Sequence, residues 1–380
     1  MPVSRLELRE HLVAELLPLW ERHGLDRIRG GYWNRIGPDL QPLPDGHKRL
    51  LVHARQIFSF TLGFELGAGD RARAAVAHGL EFMRARFWDA RNGGWYRTTD
   101  DEGAPLDRRK DLYDHAFAIF ALAHHHRVFG SPESLRLAHA TLALVRERLR
   151  DPACGGFFEG ASEDWRPIHG PRRQNPHMHL FEALLALLEV APDDVAKLEA
   201  RALVGLLGSR WLDPDSDALG EHFDPSWRPL DGDPGRVVEP GHHFEWAWLL
   251  DRFAALESDD AIRPLATRLL GFARRFGVDA DGGVFDQVDR NGRPLETGKR
   301  LWPQTERVKA LAARVRATGD ADLRRELEAG LAYCFARHVD PATRGWHEQL
   351  DREGRVLSAA QNATSVYHIA LALDEASRAL

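Results

Sequence analysis

Apolar positions recur at helical spacing along most of the chain, and the runs are of two kinds. "LLVHARQIFSFTLGFEL" from Leu50, "DLYDHAFAIFALAHHHRVF" from Asp111, "HMHLFEALLALLEV" from His177 and "FEWAWLLDRFAAL" from Phe244 are apolar around much of their circumference. Others, such as "ADLRRELEAGLAYCFARHV" from Ala321, are two-faced. A helix apolar on nearly every side belongs in an interior, and a two-faced one belongs outside it. The opening "MPVSRLELREHLVAELLPLW" alternates charge with leucine and predicts an amphipathic helix rather than a signal peptide.

Between helix pairs a second pattern returns: a glycine, an aromatic strand, a turn rich in Asp, Gly, Pro or Asn, and a short apolar return. Its six copies are "GGYWNRIGPDLQPL" from Gly30, "GGWYRTTDDEGAPL" from Gly93, "GGFFEGASEDWRPI" from Gly155, "LGEHFDPSWRPL" from Leu219, "GGVFDQVDRNGRPL" from Gly282 and "RGWHEQLDREGRVL" from Arg344. Their starts are 63, 62, 64, 63 and 62 residues apart. The turn chemistry suits a β-hairpin. The intervening stretches of roughly 45 residues hold two helices of ordinary length. Six helix pairs, one inner and one outer in each, predict an all-α (α/α)6 barrel, a closed toroid with short β-hairpins on one rim. The whole of residues 1–380 is read as a single catalytic domain. An open solenoid is the competing arrangement, but the inner helices are apolar on too many faces to line an exposed groove.

Closure brings equivalent positions together around one axis. Counted from the second or only glycine of each hairpin, Arg55 lies at +24, His115 at +21, His179 at +23, His242 at +22, Glu306 at +23 and His368 at +23. Tyr113, Asp114, Asn175, His177, Glu245, Trp302 and Gln304 are their neighbours. One histidine on an inner helix is ordinarily a hydrogen-bonded core residue. Four in register with an arginine and a glutamate, all costly to desolvate unless they pair or bind something, point to a site. Either Asp114 or His115 faces the cavity. His124–His126 read as packing or surface, Lys299 and Arg300 as a solvated loop pair, and His11, His23, His47, His78 and His139 have no constellation around them.

The chemistry of this ring narrows the function. His177 and His179 are two apart, about 200° around a helix, so they cannot chelate one ion. No zinc spacing is present, and Cys154 and Cys334 make neither a thiolate cluster nor a disulfide framework. His242 and Glu245 share a helix face, which suits a carboxylate orienting an imidazole. An inverting glycosidase would need two flanking carboxylates, for which Glu245, Glu306 and Asp114 are candidates. Histidine dominates, however, and an imidazole suits proton transfer at carbon near neutral pH. The 51 basic and 57 acidic residues leave a net charge of −6 without long single-sign runs, which argues against nucleic-acid or anionic-membrane partners. No stretch approaches the ~18 apolar residues of a membrane span. The expected protein is cytoplasmic, a monomer or homodimer, with a small-molecule partner.

At "GGYWNRI…KRLLVHARQIFSF", "NPHMHLFEALL", "EPGHHFEWAWLL", "LWPQTERVKA" and "SVYHIALALDEA" the chain resembles the N-acylglucosamine 2-epimerase superfamily, and within it the bacterial D-mannose and sulfoquinovose isomerases. The resemblance implies an (α/α)6 barrel acting on the open-chain form of an unphosphorylated monosaccharide, with no metal or other cofactor. It makes His242 and His368 the catalytic acid and base. It makes Arg55, Tyr113, Asn175, His179, Arg236, Glu245, Trp302, Gln304 and Glu306 the substrate-binding residues. The reaction it implies is interconversion of D-mannose and D-fructose, with D-lyxose and D-xylulose as related substrates. The alternative is a 2-epimerase of the mannose/glucose or N-acylglucosamine type using the same residues. Arg55 suits the negative charge of an enediolate. The loop "LDGDPGRVVEP" reads as a lid, and no sulfonate pocket is evident.

Overall fold

The structure, a computed structural model, describes residues 4–380. Its inner helices are Leu50–Glu65, Leu112–Phe129, Gln174–Val190, Pro240–Glu257, Leu301–Thr318 and Ser365–Ala379. Each packs against the next, and the sixth packs against the first, so the ring is closed. The outer helices Gly69–Phe82, Pro132–Arg148, Asp194–Leu206, Arg263–Phe276 and Ala321–Arg337 each cover the inner helix before them. The N-terminal helix Arg5–Glu10 takes the sixth outer place, against Ser365–Ala379. Met1–Val3 of the expected amphipathic helix lie outside the described residues. His11, set aside on sequence grounds, helps to close the barrel: Trp346 Nε1 donates to its Nε2 at 2.8 Å. Among the described residues no helix is long and apolar enough to cross a membrane.

The hairpins stitch neighbours as well as connecting helices. Lys48–Arg49 pairs antiparallel with Thr98–Thr99, Lys110–Asp111 with Gly160–Ala161, Arg172–Arg173 with His222–Phe223, and Lys299–Arg300 with Gln349–Leu350. In each case the segment entering one inner helix is bonded to the next repeat's hairpin. Arg35–Ile36 pairs with Gln361–Asn362, which carries the same stitch across the chain's two ends. A buried cation recurs just before the inner helix, bonded to an aspartate of the hairpin. Lys48 reaches Asp26 at 2.8 Å, Lys110 reaches Asp89 at 2.7 Å, and Arg172 pairs with Asp151. Lys299 belongs to this set. It is fully buried and lies 2.5 Å from Asp281, which corrects its reading as a solvated charge.

A ring of imidazoles and amides pins each hairpin to its inner helix. Nε2 of His53, His115, His177 and His243 accepts the backbone N–H of Tyr32, Trp95, Phe157 and Leu219 at 3.1, 3.1, 3.0 and 2.9 Å. Their Nδ1–H groups face the carbonyl oxygens of Arg49, Asp111, Arg173 and Glu239, four residues earlier. Gln304 and Gln361 substitute in the last two repeats, accepting from the N–H of Val284 and Trp346. Burial holds His53 and His115 near pKa 3 and His177 and His243 near 4, so all four stay neutral. A glycine precedes five of the six pinned residues, Leu219 following Ala218 instead, and it has a steric reason. Gly94 has φ +74°, and a Cβ there would stand 2.8 Å from His115 Nε2.

Candidate active site

At the hairpin end of the barrel, three inner helices (Leu50–Glu65, Leu301–Thr318 and Ser365–Ala379) and the segments that enter them border a cavity of about 240 Å³ lined by Arg55, Arg300, Trp302, Glu348, Gln349, Asn362, Thr364, Ser365 and His368. Phe58, Phe117, Phe120 and Tyr367 pack edge to face and form an aromatic plug along the axis. A larger groove of about 890 Å³ lies outside the barrel, between Gly69–Phe82 and Pro132–Arg148. Its walls are mainly aliphatic and aromatic, with charged side chains around them, and it is remote from the acid–base cluster.

Trp302 joins the two histidines. Its ring centroid is 4.9 Å from that of His242 and 6.0 Å from that of His368. Each histidine commits Nδ1 to a carboxylate and leaves Nε2 free. His242 Nδ1 lies 3.0 Å from both Glu221 oxygens and 3.5 Å from Glu239. His368 Nδ1 lies 2.7 Å from Glu306 Oε1. Their environments push them apart. Burial works against charge on His242, but Glu221, with Glu239 and Glu245 nearby, outweighs it and raises the pKa to about 9. Burial also works against charge on His368, and Arg55, Lys309, His179 and His242 add to it, so its pKa falls well below the usual value. Near neutral pH one imidazole is a cation and the other is not. That separation distinguishes an acid from a base.

Arg55 stands beside this pair. Its guanidinium donates to Tyr113 Oη at 2.8 Å and to the Thr364 carbonyl at 3.2 Å, over the rings of Phe117 and Tyr367. His179 meets Tyr113 edge to face and holds Glu182 at 3.1 Å, and Glu182 accepts from Tyr367 Oη. Asn175 is half-buried in the first turn of His179's helix, with Oδ1 unpartnered. Ligand atoms of His179, Glu182 and Glu245, and of Glu245, Glu306 and His368, lie within 4.8 Å of one another. A cation already stands among them: Lys309 Nζ is 2.6 Å from Glu306 and 3.9 Å from Glu245. The donor set therefore fits an internal lysine better than a metal.

Several sequence expectations need correction. His115 turns to the hairpin backbone, away from the cavity, while Asp114 faces Arg97 at 3.5 Å. Gln304 spends its amide on Val284 and Arg300 backbone groups and has nothing left for a ligand. Glu245 does not orient His242; Glu221 does. Glu306 is bound to His368 and Lys309 rather than open to the cavity. Arg236 is 59% exposed on its loop and pairs with Asp233 at 3.4 Å. Arg300 is no solvated partner of Lys299, since it lines the cavity and pairs with Glu239 at 3.3 Å and Asp286 at 3.1 Å.

One register supplies several of the residues that sequence reasoning missed. Two places after each pinned hairpin residue stand Asn34, Arg97, Glu159, Glu221, Asp286 and Glu348. On a strand, such residues share the face of the pinned residue. Glu348, for example, accepts from Ser365 Oγ at 2.7 Å and Asn362 N–H at 2.8 Å, and burial raises its pKa to about 7.

Comparison with known proteins identifies the family. The sequence profile of the N-acylglucosamine 2-epimerase (GlcNAc 2-epimerase) family matches residues 31–372. A mannose-6-phosphate isomerase of Rhizobium meliloti strain 1021 is 33% identical over 380 residues, covering 97% of this chain and 95% of that one. A D-mannose isomerase of Thermobifida fusca is 28% identical, covering 74% and 72%. The solved cellobiose 2-epimerase of Spirochaeta thermophila DSM 6192 superposes with a TM-score of 0.89 at 25% identity, covering 99% and 96%. The chain belongs to the N-acylglucosamine 2-epimerase family and is a sugar isomerase/epimerase built on an (α/α)6 barrel.

Proposed function

We propose that the protein interconverts D-mannose and D-fructose by proton transfer through an enediolate, with His368 as base and His242 as acid. The observation that carries this reading is the opposed charge of two imidazoles on either side of Trp302. Neutral His368 takes the proton from C2 of the open-chain aldose while cationic His242 gives its Nε2 proton to the aldehyde oxygen. His368 then returns its proton to C1, and His242 takes back the C2 hydroxyl proton, which leaves the ketose and restores both groups. Arg55 offsets charge that develops on the oxygens in a site from which water is largely excluded. Trp302 and Tyr113 offer flat surface to the sugar's C–H face.

The cavity favours a single neutral sugar. At about 240 Å³ it falls below the ~300–1,000 Å³ of drug-sized sites, which suits a monosaccharide better than a disaccharide. Its two guanidiniums are already engaged, Arg300 by carboxylates and Arg55 by Tyr113, and Glu348 adds an acid. A phosphate or sulfonate on the sugar would therefore meet no free cation there. The second reading, 2-epimerisation through the same enediolate, is favoured by the likeness to a cellobiose 2-epimerase along the whole chain. Incubation with D-mannose in D2O separates the two. Fructose as the early product supports isomerisation and early glucose supports epimerisation. Absence of deuterium at both C1 and C2 would overturn both.

A further inference from the structure

The proton transfers above leave one buried charge unused. Lys309 lies one turn after Glu306 on the inner helix Leu301–Thr318, with its side chain wholly inaccessible. Its ammonium lies 4.0 Å from the centre of the Trp248 ring and 5.7 Å from that of Tyr367. A buried lysine normally needs a strong partner to stay charged. Here the partner is Glu306, whose two oxygens are divided: Oε2 faces Lys309 at 2.6 Å and Oε1 faces His368 Nδ1 at 2.7 Å. Lysine, glutamate and histidine thus form a continuous line into the cavity.

We propose that Lys309 is a positioning residue, which keeps Glu306 ionised and thereby fixes the Nδ1–H tautomer of His368, so that Nε2 presents its lone pair to the sugar. The inference rests on the reading of His368 as the base. Burial and the neighbouring Glu245 and Glu182 carboxylates push the Glu306 pKa well above its usual value, and Lys309 is the group that opposes them, so its loss favours uptake of a proton by Glu306. A protonated Glu306 no longer demands the Nδ1 proton, and His368 is free to take the unproductive tautomer. Around His368 the charged or titratable groups are Arg55, His179, His242, Glu245, Glu306, Lys309 and Tyr367. Of these, only Lys309 forms an ion pair with Glu306.

The test is a double-mutant cycle read by loss of the C2 proton of D-mannose into D2O, which is common to isomerisation and epimerisation. Lys309→Met lowers the exchange rate at pH 7 by at least about 10-fold. It also moves the ¹⁵N resonances of His368 toward those of the Nε2–H tautomer, which a protonated Glu306 no longer disfavours. Glu306→Gln lowers the rate as well, and the double variant matches Glu306→Gln within about threefold, because a residue acting through its partner adds nothing once the partner is gone. Independent, additive losses or unmoved His368 resonances would overturn the proposal. If Lys309→Met alone does not fold, having left the Glu306 carboxylate buried without its counter-charge, the double variant removes that carboxylate as well. Its comparison with Glu306→Gln then decides. If wild-type protein exchanges no proton from D-mannose, D-lyxose or D-glucose, the proposed function fails. Lys309 is then judged by the ¹⁵N resonances of His368, which move in Lys309→Met if it sets the tautomer and stay in place if it does not.

Discussion

Replacing Glu221 by glutamine keeps the side chain's shape and removes its charge from beside His242. In the folded protein the His242 pKa is raised from 6.5 to about 9, a difference worth about 3 kcal/mol at 1.36 kcal/mol per unit. Burial, the largest influence, opposes the charge and stays in the variant against only the lesser contributions of Glu239 and Glu245, so the pKa falls to the ordinary imidazole range, about 6.5, or below it. At pH 7.5 the cationic fraction then drops from nearly all to about a tenth or less, and the acid-dependent rate falls by about 10-fold or more. In a pH–rate profile for conversion of D-mannose, the alkaline limb moves down from about pH 9 by about two units or more while the acid limb stays. Stability follows the same linkage. Because the folded-state pKa is raised, the pair stabilises fully below pH 6.5, and that contribution is lost as pH rises through about 9. Wild-type melting temperature should therefore fall across this window, and that of Glu221→Gln much less. An alkaline limb that stays within half a unit of wild type would show that Glu221 does not set the charge of His242.

His368→Ala retains the fold and loses at least about 10²-fold in turnover, the usual contribution of a general base; near-normal turnover would remove it from the proposed chemistry. Arg55→Lys exchanges a fork that reaches both Tyr113 and the Thr364 carbonyl for a point charge, and kcat falls with little change in melting temperature. His115→Ala orphans the buried Trp95 N–H and costs about 1–3 kcal/mol in denaturant unfolding. His115→Gln, copying the arrangement at Gln304, costs less. Prolonged chelation leaves turnover unchanged, and a loss restored by a divalent ion would reassign the acidic cluster around Lys309.

The architecture was legible because it is written six times. One amphipathic helix is weak support for a fold, but hairpins 62 to 64 residues apart, separated by alternately buried and two-faced helices, leave few alternatives to a ring. The choice of closed ring over solenoid rested on the apolar circumference of the inner helices, and it holds: the sixth packs against the first. Individual side-chain directions were less legible. Lys299 looks like a solvated loop cation, since nothing local announces that Asp281, eighteen residues earlier, folds back onto it. Glu221 escaped notice because its partner is twenty-one residues away, while Glu245 offered a plausible partner within one helical turn.

The misplacement of His115 and Gln304 has a geometrical cause. Residues two apart on a helix point about 200° from each other. In five repeats the pinning residue and a second residue stand two apart: His53 and Arg55, His115 and Phe117, His177 and His179, His243 and Glu245, Gln304 and Glu306. The first of each pair faces outward and holds the hairpin; the second faces the barrel axis. Counting from the hairpin glycine with a tolerance of a residue or two merges these opposed sets into one apparent ring. The pairing explains how so many histidines can coexist in one interior. Those facing the hairpins are neutral, with both nitrogens spent on backbone, and they stabilise the scaffold by ordinary hydrogen bonding. Those near the axis have Nδ1 against a carboxylate and Nε2 free: Glu221 serves His242, Glu306 serves His368 and Glu182 serves His179. Among the histidines in the first turns of the inner helices, what Nδ1 touches therefore separates the two sets: a carbonyl four residues back marks a residue that holds a hairpin, and a carboxylate marks one whose Nε2 is left without a protein partner.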